Sequence, residues 1–297
     1  MRKLEKLTAL QVKSYEEDGY LLLERVIPES IIQDIRNEIE RFNEEAKSMD
    51  ESNDRLDLED SHSRADPRVR RIKLPHTIST VMRDLMYSDY ILGPARDLIG
   101  PDIRLHTTKL NMKSANYGAA IEWHQDFAFY PHTNDDALAI GIVIDDIDSE
   151  NGPLMVFPGS HKHPIHNHHY DGFFVGAMDL QACGYDTKDA VELKGPAGSI
   201  SIHHARTVHG SALNTSSSDR RLLFYEMMAV DAFPVMGSMT SFNTIEEYNE
   251  KILCGEPTLY PRLSNVPIRI PLPQPQKNKS IYEVQSGLKN RAFLQKP

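Results

Sequence analysis

Apolar positions fall into two textures along the chain. Up to about residue 100 they recur three and four residues apart, the spacing that gathers side chains on one face of a helix. Thr8-Ala-Leu-Gln11 has the capping-box pattern and opens a short helix that Gly19 ends. "YLLLERVI" at residues 20–27 predicts a strand. Pro28 then suits the first turn of a second helix, whose buried stripe is Ile31, Ile32, Ile35, Ile39 and Phe42. Residues 46–71 lose all apolar periodicity and are highly charged, which predicts a surface loop, either a mobile lid near a pocket or a solvated loop with no role. Residues 76–100 read as two helical segments broken near Gly93-Pro94.

From Asp102 to about Val230 the texture changes to short alternating runs separated by turn residues: "IRLHTTKLNM", "ALAIGIVIDD", "PLMVFPG", "GSISIHHA" and "RRLLFYEMMAV". Asn151-Gly152 and Pro158-Gly159 punctuate them, and several short strands joined this way indicate a sandwich or barrel. Asn243-Thr-Ile-Glu246 caps another helix running through "IEEYNEKILC" to Gly255, and the Pro-rich "RLSNVPIRIPLPQPQKNK" predicts extended chain. The expectation is one mainly β domain over residues 1–297 with flanking helices. Its helical part spans about residues 1–100, its β core about 102–232, and its helical and extended tail about 240–297.

Charge narrows the partners. The net charge of −10 argues against non-specific nucleic-acid binding, which needs clustered Lys and Arg against phosphates. Cys183 and Cys254 are the only cysteines, so there is no disulfide framework, as fits a reducing compartment. The N-terminal stretch lacks a signal peptide's apolar run of about 7–15 residues, and no run approaches membrane-spanning length. A cytoplasmic protein with no membrane partner is the expectation.

The triplet His124-Gln125-Asp126 carries the first chemical signal. Residues i and i+2 of a strand share a face, so His124 and Asp126 can meet one ligand while Gln125 points elsewhere. Two histidines and a carboxylate form the facial triad of non-haem iron oxygenases. The second histidine has to come from a distant strand, where His203, His204 and His209 are candidates. Arg220, at the start of the next apolar run, can hold a carboxylate bidentately, and Ser211 can add a hydroxyl donor to it.

"WHQD", "NGPLMVFPGSHK" and "VHGSALNTSSSDRR", in that order, resemble the phytanoyl-CoA dioxygenase family of Fe(II)/2-oxoglutarate-dependent oxygenases. The resemblance spans about residues 7–230. It implies a double-stranded β-helix, or jelly-roll, core with helices packed on one side. Carried over by position, His124, Asp126 and His209 would ligate Fe(II), and Arg220 and Ser211 would bind the distal carboxylate of 2-oxoglutarate. Thr108 and Gln125 fall at family positions that approach the cosubstrate. Where some members place a Trp in the strand after the triplet, this chain has Ile142, so that contact is not carried over. Related halogenases have a small residue in place of the carboxylate, so Asp126 favours hydroxylation or another oxidation. The implied reaction consumes O₂, decarboxylates 2-oxoglutarate to succinate and CO₂, and oxidises a small-molecule substrate.

Other features have plainer readings. His203 and His204 lie outside the matched pattern and are read as structural, one facing inward and one outward. The run "HKHPIHNHH" has no Cys and no closed zinc spacing, and reads as a surface or pocket-rim loop. Asp145, Asp146 and Asp148 lack the spacing of a calcium loop. Trp123 is a core residue by its type, and Arg71 and Lys73 lie where a family cation can approach cosubstrate or substrate. A Zn²⁺ hydrolase or isomerase on the same barrel could use the same triad, but such a site has no need of Arg220. A non-catalytic metabolite-binding protein would need neither. Specificity is expected from residues 46–71, 127–136, the His-rich loop to Asp186, and 233–239.

Overall fold

Thr8 accepts a hydrogen bond from Gln11 N while the Gln11 side chain answers Thr8 N, so the predicted box opens α1 (Ala9–Asp18). Gly19 ends it in the left-handed region at φ 80°, where an added Cβ would meet His161 Nδ1 at 2.4 Å. This computed structural model describes residues 4–236, 242–274 and 281–293.

Strand β1 (Tyr20–Leu23) is shorter than expected, because the chain turns at Arg25, whose φ is 51°. Helix α2 (Glu29–Ala46) buries Ile32, Ile35, Ile39 and Phe42, as its spacing predicts. Residues 46–71 depart from the expected loop: β2 (Leu56–Leu58) pairs with β3 (Val69–Lys73). Leu56, Leu58, Val69 and Ile72 are buried there, in runs too short to show a period. The helical break falls at Tyr87-Ser88, between α3 (Thr80–Met86) and α4 (Asp89–Ile99), and not at Gly93-Pro94. Pro94 sits inside α4, where it forfeits a bond only to the Tyr90 carbonyl of the first turn.

The β region supplies β4 (Ile103–Lys113), β5 (Ile121–His124), β6 (Ala137–Val143) and β7 (Leu154–Val156). It continues through β8 (His169–Tyr170), β9 (Phe173–Phe174), β10 (Val191–Leu193), β11 (Ile200–His204), β12 (His209–Ser211) and β13 (Arg220–Ala229). Helix α5 (Ile245–Asn249), capped by Thr244, stops early, and β14 (Ile252–Cys254) pairs with the start of β4. A last helix, α6, covers Ile281–Gln285.

The larger sheet runs β1-β11-β6-β13-β4-β3-β2, and the smaller runs β10-β7-β12-β5. These antiparallel sheets form the jelly roll, with α1–α4 on the outer side of the larger one and α6 against β5 of the smaller. Along β13, Leu223, Tyr225 and Met227 join the core against the helices, whereas Arg220, Leu222, Phe224 and Glu226 face the opposite sheet. Ile142 belongs to the helical side as well. No helix among the described residues is long and apolar enough to cross a membrane.

Candidate active site

A cavity of about 490 Å³ lies between the sheets, within the size range of small-molecule sites. His124 closes β5, Gln125 stays extended, and Asp126 opens a 3₁₀ turn, so His124 and Asp126 point the same way. Strand β12 lies beside β5 with His209 opposite His124. The result joins residues far apart in sequence: one ligand atom each from His124, Asp126 and His209 lies within 4.8 Å of the others, and all three residues are buried.

The imidazoles are oriented by backbone. His124 Nδ1 lies 2.8 Å from Glu122 O and His209 Nδ1 lies 2.9 Å from Thr207 O, which places the N–H on Nδ1 and leaves each Nε2 a lone pair. Both Nε2 atoms face Asp126 Oδ1, at 3.6 and 3.8 Å. Burial works to raise the Asp126 carboxyl, but His209, His124, His203 and Lys109 outweigh it and hold it well below the usual range. Burial, reinforced by His124, holds His209 well below its ordinary value and so keeps it neutral. Two imidazole nitrogens and an ionised carboxylate, gathered on one spot, are a donor set that fits Fe(II).

Arg220 and Ser211 line the same cavity. Arg220 donates Nε and Nη2 to Gly152 O at 3.0 and 2.8 Å, which fixes its plane and leaves the Nη1 side outside that pair. Burial lowers its pKa to about 10, so the guanidinium stays charged at neutral pH.

Of the two further expected cosubstrate contacts, Gln125 is turned away from the cavity and Thr108 borders it. Gln125 is fully buried behind the triad: Nε2 donates to Arg206 O at 2.8 Å, Oε1 accepts from His166 N at 2.9 Å, and it does not line the cavity. Strand alternation turns it away, as the spacing alone suggested. Thr108 borders the cavity, but the register sets it beside Tyr225 on the helix-facing side, and its Oγ1 lies 2.6 Å from His76 Nδ1.

Several cavity residues escaped sequence reasoning. His203, read as structural, faces inward with Nε2 3.4 Å from Asp126 Oδ2. Lys109 is ion-paired with Glu226 at 2.5 Å; burial opposes its charge, but Glu226 prevails and keeps it protonated. His106 packs against Tyr130, ring centroids 4.0 Å apart and tilted by 41°, and is pushed by burial down to about 3, hence neutral. Glu226 had a usable signal, since it keeps the two-residue phase of Arg220 within an apolar run.

Arg71 and Lys73 both line the cavity and share Asp57, at 2.5 and 2.7 Å. His204 points away and packs near Tyr15 and His161, while Trp123 is core, packed on Phe157. The His-rich run is more buried than a rim loop: His168 and His161 are both buried, and His168 Nε2 accepts from Gln125 N at 3.0 Å. Asp145 pairs with Arg221, and Asp148 caps its own turn by accepting from Glu150 N and Asn151 N. Of the segments expected to set specificity, residues 237–239 lie outside the described residues.

The phytanoyl-CoA dioxygenase (PhyH) family profile matches residues 15–222. A probable alpha-ketoglutarate-dependent hypophosphite dioxygenase of Stutzerimonas stutzeri is 31% identical over 289 residues, 96% of this chain and 99% of that protein. L-Proline trans-4-hydroxylase of Streptomyces griseoviridis is 31% identical over 70% of this chain and 82% of its own length. Among solved structures, EctD from S. alaskensis with bound Fe superposes with a TM-score of 0.67 at 22% identity, covering 87% of this chain and 88% of that one. That likeness bears on the fold. The profile match and the near full-length relative bear on descent: the chain belongs to the phytanoyl-CoA dioxygenase family.

Proposed function

We propose that this 2-oxoglutarate-dependent non-haem iron dioxygenase hydroxylates a free small metabolite, with residues 1–297 working as one catalytic unit. The observation that carries the reading is the convergence of His124, Asp126 and His209 in the cavity that Arg220 also lines. His124, Asp126 and His209 would hold Fe(II), and Arg220 with Ser211 would hold the far carboxylate of 2-oxoglutarate. When bound, iron with 2-oxoglutarate and O₂ supplies an oxidant strong enough to take hydrogen from a substrate, while 2-oxoglutarate becomes succinate and CO₂.

The chain's own part is orientation and exclusion. The carbonyls of Glu122 and Thr207 keep both Nε2 lone pairs aimed at one point, and Asp126 retains the carboxylate that favours hydroxylation. Phe129, Phe174, Leu154 and Val284 wall the cavity and keep water from the reacting groups. A cavity of about 490 Å³ suits a free metabolite better than an acyl-CoA thioester. Hypophosphite and L-proline, named for two relatives, are the first substrates to try.

Arg220→Ala tests the cosubstrate role. It should weaken 2-oxoglutarate binding by about 2–4 kcal/mol, the scale for removing one partner of a buried charged pair, and leave Fe(II) affinity nearly unchanged. Equal losses of both in calorimetric titrations would remove Arg220 from its assigned place.

A further inference from the structure

Strand β5, which delivers His124, is the outer strand of the smaller sheet. An outer strand leaves alternate N–H and C=O groups without a neighbouring strand, and buried groups of that kind need partners. Here the partner is a side chain from the far end of the sequence. Gln285 is buried, its Oε1 accepts from Glu122 N at 2.9 Å, and its Nε2 donates to Glu122 O at 3.4 Å and to Gly176 O at 2.9 Å. Its amide therefore acts on Glu122 as the peptide group of a next strand would.

Glu122 O is also the carbonyl that accepts from His124 Nδ1–H at 2.8 Å. The same stretch grips β5 twice more. The Glu122 carboxylate accepts from Ala292 N at 2.8 Å and Phe293 N at 3.2 Å, and Phe293 stacks on Trp123 at 5.4 Å. Ile281 and Val284 of the same segment line the cavity. Residues 281–293 themselves lie beyond residue 222, where the family profile ends.

We infer that residues 281–293 belong to the active site, and that Gln285 is a positioning residue for the metal ligand His124, acting through Glu122. Gln285 fixes the carbonyl that sets the His124 ring plane, so iron affinity depends on a side chain that never meets the iron. The inference rests on the reading of His124 as a ligand.

The test is anaerobic Fe(II) titration of the full chain and three variants, with emission of Trp123, the single tryptophan, reporting whether the segment stays docked. Gln285→Met keeps length and removes the hydrogen bonds, and should weaken Fe(II) binding about 10–100-fold, the usual effect of losing an outer-shell partner. Ile35→Ala, in the buried stripe of α2 and away from the cavity, should lower thermal stability without changing Fe(II) affinity. A Gln285→Met protein that binds Fe(II) within twofold of the parent, with Trp123 emission shifted or not, overturns the inference. His124→Ala separates the two levels: unchanged Fe(II) binding there would defeat the ligand reading itself.

Discussion

The two oxygens of Asp126 face different partners. Oδ1 looks towards Nε2 of His124 and His209, and Oδ2 lies 3.4 Å from Nε2 of His203. A carboxylate held by one oxygen presents the other in a fixed direction, so on the proposed ligand reading of Asp126 the contact with His203 would help to orient it. His203→Phe should therefore lower Fe(II) affinity about 10–100-fold and leave the fold intact, as judged by anaerobic titration and circular dichroism. Unchanged affinity would reduce His203 to cavity lining. Sequence reasoning had placed His203 and His204 on opposite faces but could not say which face was inner, because periodicity gives phase without absolute direction. The family pattern likewise supplied Thr108 and Gln125; hydrogen bonds to the backbone of Arg206 and His166 hold Gln125 off the cavity, whereas Thr108 stays on its border.

At the scale of elements, strongly periodic or capped segments were legible and short ones were not. The stripe of α2 and the Thr8 box needed only local spacing. The β2–β3 hairpin was hidden because only a few of its positions are apolar, and its Asp57 is buried by pairing with Arg71 and Lys73. Asp97 shows how a single element end can be secured: its carboxylate accepts from Glu5 N, Lys6 N and Leu7 N, each at 2.8 Å. Asp97→Ala should cost about 2–4 kcal/mol in chemical denaturation while Fe(II) binding persists; a loss under about 0.5 kcal/mol would show that water replaces it.

The His-rich segment adds a pH dependence. Burial lowers His168 to about 3, and its Nε2 must stay unprotonated to accept from Gln125 N. An unfolded histidine takes up its proton near pH 6.5, so the unfolded state binds more protons between about 6.5 and 3. The stability contributed by neutral His168 is thus full above about 6.5 and is lost as pH falls towards 3. His168→Gln, which does not titrate, should show a shallower fall of melting temperature over pH 6.5–4.5 than the parent. Parallel curves would contradict this assignment.

Across the whole molecule, helices α1–α4 cover one face of the larger sheet, while its other face and the smaller sheet opposite carry the polar groups of the cavity. His124 from β5, Asp126 just beyond it, His209 from β12, Arg220 from β13 and the C-terminal segment on β5 come together only through this topology. The triad and Arg220 were readable from motif order, whereas the part played by Gln285 was not, since no spacing rule links residue 285 to residue 122. The most direct test of the account is succinate formation from 2-oxoglutarate by the purified chain with Fe(II) and O₂, in the presence of hypophosphite or L-proline. The account predicts turnover that requires Fe(II) and O₂, is raised by substrate, and is lost in His124→Ala. Succinate production that persists in His124→Ala, or none from the parent chain with Fe(II) demonstrably bound, would contradict it.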